Sequence, residues 1–187
     1  MNAQLKDISQ IRFGYYSQST ADNGIPYLQA RQFDDAGNLI ANPDTFLSPD
    51  SKSTTQLLKD GDIIFAGKGN KNFAWCYHKE FGPAIASTIF FVISPDKRKV
   101  LPEYLAALFN HSKNQQYFQQ LGAGSNIQSI RKNELGDFNV PVVPLQMQAK
   151  IVALYELHKQ DISLTLQLLQ HKNELYESVV NTLTNNN

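Results

Sequence analysis

Hydrophobic and polar positions change their period twice along this chain. Up to about residue 95 the apolar residues come in short runs bounded by turn signals. Gly24-Ile25-Pro26 breaks the chain, and residues 27–30 (YLQA) follow as a strand candidate. Asp34-Asp35-Ala36-Gly37-Asn38 predicts a turn ahead of Leu39-Ile40. Lys59-Asp60-Gly61 predicts a tight turn feeding a short buried strand over residues 62–66, and residues 67–72 read as a loop. Residues 73–77 are aromatic and strand-like. Residues 85–93 (IASTIFFVI), rich in β-branched and aromatic side chains, predict the strongest strand in the chain. The period then becomes helical. Pro102 suits a first helical position, with Tyr104, Leu105, Leu108 and Phe109 behind it. Tyr117, Phe118 and Leu121 continue a helical pattern that Gly122 is expected to end. Residues 122–126 read as a loop, 130–135 as a short helical turn and 139–143 as extended chain. This mixture predicts an α+β fold.

The second change begins after Pro141 and Pro144. Nearly forty residues pass without Gly or Pro, and Tyr155, Ile162, Leu169, Tyr176 and Leu183 recur every seventh position. That spacing is the seam of a coiled coil. Leu154, Leu168 and Leu175 lie beside the seam, and Leu157 and Leu164 further round. A helix apolar over so wide an arc must bury much of its girth. Packing back along its own domain is the plain reading; a partner helix with a docking protein is the other. His158, Thr165 and Lys172 interrupt the seam, a pattern that fixes register. Residues 145–183 would extend about 55–60 Å. The expected organisation is a globular region at 1–143, a long helix at 144–184 and a tail at 185–187.

Composition narrows the possibilities. The 187 residues carry 17 Lys+Arg against 17 Asp+Glu, so bulk charge does not mark a nucleic-acid coat. Residues 1–150 are slightly basic and 151–187 slightly acidic. No apolar run is long enough to span a membrane. The opening residues lack a signal peptide's basic and apolar regions, so a cytoplasmic location is expected. Cys76 is the sole cysteine, and His78, His111, His158 and His171 are scattered. Their spacing predicts neither a disulfide nor a metal site.

Five segments together resemble one family. In order they are residues 25–33 (IPYLQARQF), 57–69 (LLKDGDIIFAGKG), 101–110 (LPEYLAALFN), 121–135 (LGAGSNIQSIRKNEL) and 139–152 (NVPVVPLQMQAKIV). The chain resembles the DNA-specificity (S) subunit of Type I restriction–modification systems. The last segment, a proline phrase opening a long helix, is the most specific, although Val143-Pro144 stands where paired prolines are usual. An S subunit carries two target-recognition domains and two conserved helices, and this chain has length for one of each. The start at Met1 and the polar tail favour a natural half subunit over a fragment.

The resemblance implies double-stranded DNA as ligand. It also implies modification (methyltransferase) subunits, which would hold S-adenosylmethionine, and an ATP-driven restriction subunit as partners. This chain itself would carry no cofactor. A homodimer through the helix would place two identical recognition domains on an inverted-repeat target. In the 67–71 loop, Lys68 and Lys71 would contact phosphates and Asn70 an adenine edge. A plain surface turn is the alternative there. In 25–33, strand alternation places Tyr27, Gln29 and Arg31 on one face; Gln29 and Arg31 would read bases, or the segment would be scaffold. In 121–135, Ser125, Asn126, Arg131 and Lys132 would face phosphates, against a helix cap followed by a solvated turn. Trp75 would pack.

No catalytic arrangement is present. There is no GxSxG, no Walker loop, and neither the [DNS]PP[YF] tetrapeptide nor the Gly-rich cofactor loop of an amino-methyltransferase. The chain is therefore expected to be non-catalytic. Two other readings stay open: a helix-mediated interaction scaffold, and a detached recognition region of a fused restriction–methylation enzyme.

Overall fold

The computed structural model describes residues 2–17, 20–69, 71–121 and 129–185. Two compact units emerge, Met1–Ala149 and Lys150–Asn187. The first contains β1 (Asn2–Gln4), α1 (Leu5–Ile8), β2 (Ser9–Phe13), β3 (Ile25–Leu28), β4 (Phe46–Leu47), α2 (Ser51–Thr54), β5 (Ile63–Ala66), β6 (Ala74–Cys76), β7 (Ile85–Ala86) and β8 (Phe90–Pro95). Then come α3 (Pro102–Asn110), α4 (Ser112–Leu121), α5 (Lys132–Gly136) and β9 (Asn139–Pro141). Helix α6 (Leu145–Asn185) starts in the first unit and makes up the second. The fold is α+β, as the alternation of periods predicts.

The main sheet runs β2-β8-β5-β6, antiparallel throughout. Strand β5 lies inside it with all four residues buried. A strand covered on both faces reads as a continuous apolar run, which is what IIFA is. Ile64 and Ala66 join a core with Leu28, Phe33, Phe73, Phe90 and Val92. Phe65 faces the other way, 5.2 Å from the Phe109 ring of α3 and 4.8 Å from the Phe118 ring of α4. Phe138 closes that aromatic group. Phe118 is the buried residue of α4, and Asn114 and Gln115 add bonds from their side-chain amides to the carbonyls of Leu108 and Phe109 at the end of α3.

The run at 85–93 is not one strand. Ile85–Ala86 pairs parallel with β3, whereas Phe90–Pro95 pairs with β2 and β5. Between them the Phe90 N–H donates to the Ser87 carbonyl, closing a turn, and the Ser87 N–H donates to Leu28. The chain passes from one sheet to the other here. Gly14 crosses at the same place: its N–H donates to Phe90, and the next N–H, of Tyr15, to Ala86. A Cβ on Gly14 would stand 2.0 Å from the Ser87 carbonyl oxygen, so only glycine permits the crossing.

The start and end of the first unit meet. Asn2, Ala3 and Gln4 pair antiparallel with Pro141, Val140 and Asn139. The Tyr104 hydroxyl donates to the Pro141 carbonyl at 2.7 Å. Pro144 opens α6 by accepting from the N–H groups of Met147 and Gln148. The Gln148 side chain is fully buried. Its Oε1 accepts from the Leu101 N–H at 2.8 Å, and its Nε2 donates to the carbonyls of Lys99 (2.9 Å) and Val143 (2.7 Å). One amide therefore satisfies three backbone groups from two separate segments, which an all-apolar helix start would leave unpaired. This explains a glutamine inside the apolar phrase that opens the long helix.

Candidate nucleic-acid interface

Strand β5 delivers the first loop. Its base is closed from inside: Ala66 N–H donates to Phe73, and the buried Asn72 Nδ2 donates to the Ala66 carbonyl at 2.7 Å. Gly67 lies flat on a ring. A Cβ there would approach Phe91 Cε2 to 2.4 Å. Lys68 then emerges exposed, followed by Gly69 at φ +111°, a conformation that suits glycine. Asn70 lies outside the described residues. Lys71 is exposed and ion-paired with Asp35 of the 34–38 turn, so its charge is partly compensated.

The second loop returns to the first. Lys68 and Ser129 form an antiparallel bridge, and the Ile130 N–H donates to the Gly67 carbonyl at 2.8 Å. Ile130 is buried and anchors the crossing. Helix α5 follows directly. The Arg131 N–H donates to Glu134 Oε2 at 2.7 Å, a one-sided cap that sets the start of the helix. The Arg131 side chain stays largely in water, and Lys132 is exposed. Two segments some sixty positions apart thus place Lys68, Ser129, Arg131 and Lys132 around one backbone crossing. Ser125 and Asn126 lie outside the described residues.

Gln29 and Arg31 belong to a separate hydrogen-bonded group, and the strand alternation expected of them does not hold. Strand β3 stops at Leu28, and Ala30–Gln32 forms a 3-10 turn. Buried Gln32 causes the stop: its Oε1 accepts from the Gln29 N–H at 2.7 Å, and its Nε2 donates to Asp44. Arg31 pairs with Asp44 at 2.5 Å and donates to Thr45 Oγ1. That hydrogen bond from Arg31 holds the Asp44 carboxyl below its usual range. Arg31 is thus engaged with this surface pair.

Sequence reasoning passed over Phe13. It is 55% exposed, and its ring lies 5.2 Å from Phe91, the ring on which Gly67 rests. An exposed aromatic beside an exposed lysine is the pairing that stacks on bases while holding phosphates. Its signal was faint: Phe13 ends a strand whose other residues are half-buried or exposed and mostly polar.

In the second unit the expected seam is open. Ile162, Leu169, Tyr176 and Leu183 are all exposed, and Tyr155 is half-buried with Lys159 Nζ 5.6 Å from its ring centre. A further stripe appears on the same helix. Leu157, Leu164, Leu168, Leu175 and Val179 recur at intervals of seven and four. At about 100° per residue they fall within about 60° of one another, centred about 110–130° round the helix from Ile162 and Leu169 and nearer to Tyr176 and Leu183. All five are exposed. Leu157, Leu164, Leu168 and Leu175 already read as apolar positions off the seam, and Val179 joins them.

Residues 1–174 match the family described as Type I restriction modification DNA specificity domain. The chain belongs to that family. This family is the non-catalytic DNA-recognition component of Type I systems. Solved structures agree on the fold. The HsdS subunit from Thermoanaerobacter tengcongensis superposes with a TM-score of 0.64 at 16% identity, over 87% of this chain and 38% of that one. A chain from a structural study of complex assembly and conformational transition in the type I R-M system gives 0.64 at 16% identity, over 87% and 39%. The S subunit from M. genitalium gives 0.61 at 11% identity, over 86% and 39%. The specificity domain described here thus spans well under half the length of each. Curated protein sequences give no match. No helix among the described residues is long and apolar enough to cross a membrane.

Proposed function

We propose that this chain is a sequence-reading half subunit of a Type I restriction–modification system, acting in the cytoplasm as a homodimer. The observation that carries this reading is the pair of exposed apolar stripes on α6, in a member of a DNA-specificity family. One stripe, through Ile162, Leu169, Tyr176 and Leu183, pairs with its twin; the other, through Leu157, Leu164, Leu168, Leu175 and Val179, docks the methyltransferase subunits. Those partners hold S-adenosylmethionine and do the chemistry, and the restriction subunit cleaves. Helix α6, with 41 residues, is about 60 Å long, nearly two turns of B-DNA. An antiparallel pair would hold two identical reading heads over an inverted repeat with an unread spacer. Each head would meet the duplex at the Lys68–Ser129 crossing, with Arg131, Lys132 and Lys71 on phosphates and Phe13 beside them.

The test is selection from a random duplex library with the modification subunit present, read at two salt concentrations. Recovery of a two-part palindromic motif is the expected result. Binding that is salt-sensitive but unselective would sink the reading in favour of an interaction scaffold.

A further inference from the structure

The end of β6 and the first turn of α3 bring Cys76 and His78 together with Glu103, which lies 25 positions further along the chain. Cys76 and His78 are two positions apart, and His78 continues the extended backbone at φ −118° and ψ 141°. Alternation therefore turns both side chains to one face. Glu103 comes from the start of α3, which packs on β6. The ligand atoms of Cys76, His78 and Glu103 all lie within 4.8 Å of one another. His78 Nε2 is 3.9 Å from Glu103 Oε1. Ligands around a tetrahedral ion bonded at 2.0–2.3 Å stand roughly 3.3–3.8 Å apart, so closing on an ion needs shifts of about an ångström. We propose that Cys76, His78 and Glu103 form a binding site for a divalent transition metal of the zinc class.

The donor set selects the ion. A thiolate and an imidazole suit Zn²⁺ and its neighbours, whereas Ca²⁺ and Mg²⁺ want oxygen shells. The carboxylates of Glu103, Asp60 and Asp62 lie near the thiol, with Lys97 opposing them. A bound dication displaces the thiol proton to solvent and takes the thiolate as ligand. Asp60 and Glu80 also stand within reach of His78, so the mouth of the site is acidic.

The position suits a structural clamp. At the far end of the same contact, the Asn110 side chain brackets Ala74, donating to its carbonyl at 2.8 Å and accepting from its N–H at 2.8 Å. Asn110 to Glu103 spans about 10 Å of helix, and Ala74 to His78 about 13 Å of strand. The ion would pin the second end of an antiparallel helix–strand pair that hydrogen bonds already hold at the first.

The experiment titrates the full chain, stripped with a chelator, first with Co²⁺ and then with Zn²⁺. The expected result is a thiolate-to-cobalt charge-transfer band at one equivalent, bleached by Zn²⁺ and absent in Cys76→Ser. Zn²⁺ should raise the melting temperature, and His78→Ala should lower Zn²⁺ affinity by more than about tenfold, the upper part of the range seen on removing outer-shell partners alone being a hundredfold. His78 is half exposed, so that variant keeps the fold whatever becomes of Cys76→Ser. Cobalt binding without a thiolate band, or Zn²⁺ affinity unchanged in His78→Ala, would place any ion on other surface groups and overturn the proposal.

Discussion

Replacing Gln148 by Met keeps the length of the side chain and removes all its polar atoms. The structure sets the size of the loss. Two carbonyl partners, Lys99 and Val143, sit on residues that keep some contact with solvent, so each lost bond costs about 1 kcal/mol. The Leu101 N–H lies at the junction of fully buried Val100 and buried Pro102, and leaving it unpaired costs about 2 kcal/mol. The sum, about 4 kcal/mol, corresponds to a fall in melting temperature of about 8–16 °C for a unit of this size. Near-UV circular dichroism follows the first unit selectively, because Trp75 packs in its core against Phe33 and Phe81. Gln148→Glu adds a control of sign. Its carboxylate would face two carbonyls, so its folded pKa would lie above the unfolded value of about 4.3. A raised folded pKa stabilises below the unfolded value and is lost as pH rises through the folded one. The Glu variant should therefore recover stability towards pH 4 relative to the parent, while the Met variant should not. A Met variant melting within about 2 °C of the parent would refute the bracket.

Three further outcomes follow from the same contacts. Leu169→Asp should reduce the light-scattering mass from dimer to monomer, because it places an unpaired charge in the seam; an unchanged dimer would remove Leu169 from it. Lys68→Ala with Lys71→Ala should weaken DNA binding and lower the salt slope by up to about two, with the base preference intact, since Asp35 already offsets part of the Lys71 charge; an unchanged slope would make the loop structural. Metal-free protein should lose stability above pH 9, because burial raises the Cys76 thiol from 9.0 to about 12 and also raises the Tyr104 and Tyr27 hydroxyls. Groups whose folded pKa is raised stabilise below their unfolded values and lose that contribution as pH climbs, so a melting temperature flat from pH 8 to 11 would contradict their burial.

Elements that rest on a local period were legible. Helix α6, the Pro102 start of α3, the turn at Gly61 and the buried run of β5 all read directly, because each is decided by neighbours in the chain. What escaped was decided by distant partners. The run at 85–93 contains no glycine or proline, so nothing local marks the turn at Ser87; the break exists because Leu28 and Gly14 claim the backbone on either side. Alternation failed at Gln29 and Arg31 because one buried glutamine folded the backbone into a 3-10 turn. The candidate interface was half legible. Lys68 and Arg131 stood out as cations in glycine- or serine-rich loops. Their meeting depends on a backbone bridge between Lys68 and Ser129 that no spacing rule encodes, and the same is true of Glu103 beside Cys76 and His78.

If the proposed antiparallel pair sets the distance between the reading heads, that distance is an adjustable property of α6. Its first turn is fixed by Gln148, so added length must appear beyond it. Duplicating residues 162–168 adds one heptad and keeps Ile162, Leu169, Tyr176 and Leu183 in phase with the seam. Seven residues lengthen the overlap by about 10.5 Å. At about 3.4 Å per base pair this is close to three base pairs. The residues around Lys68 and Ser129 are untouched, so the half-sites should be unchanged while the spacer grows by about three. Duplex selection or methylation mapping with the modification subunit reads both quantities at once. A spacer that stays the same length would mean that the heads are positioned by something other than the rod, and altered half-sites would mean that α6 takes part in reading bases.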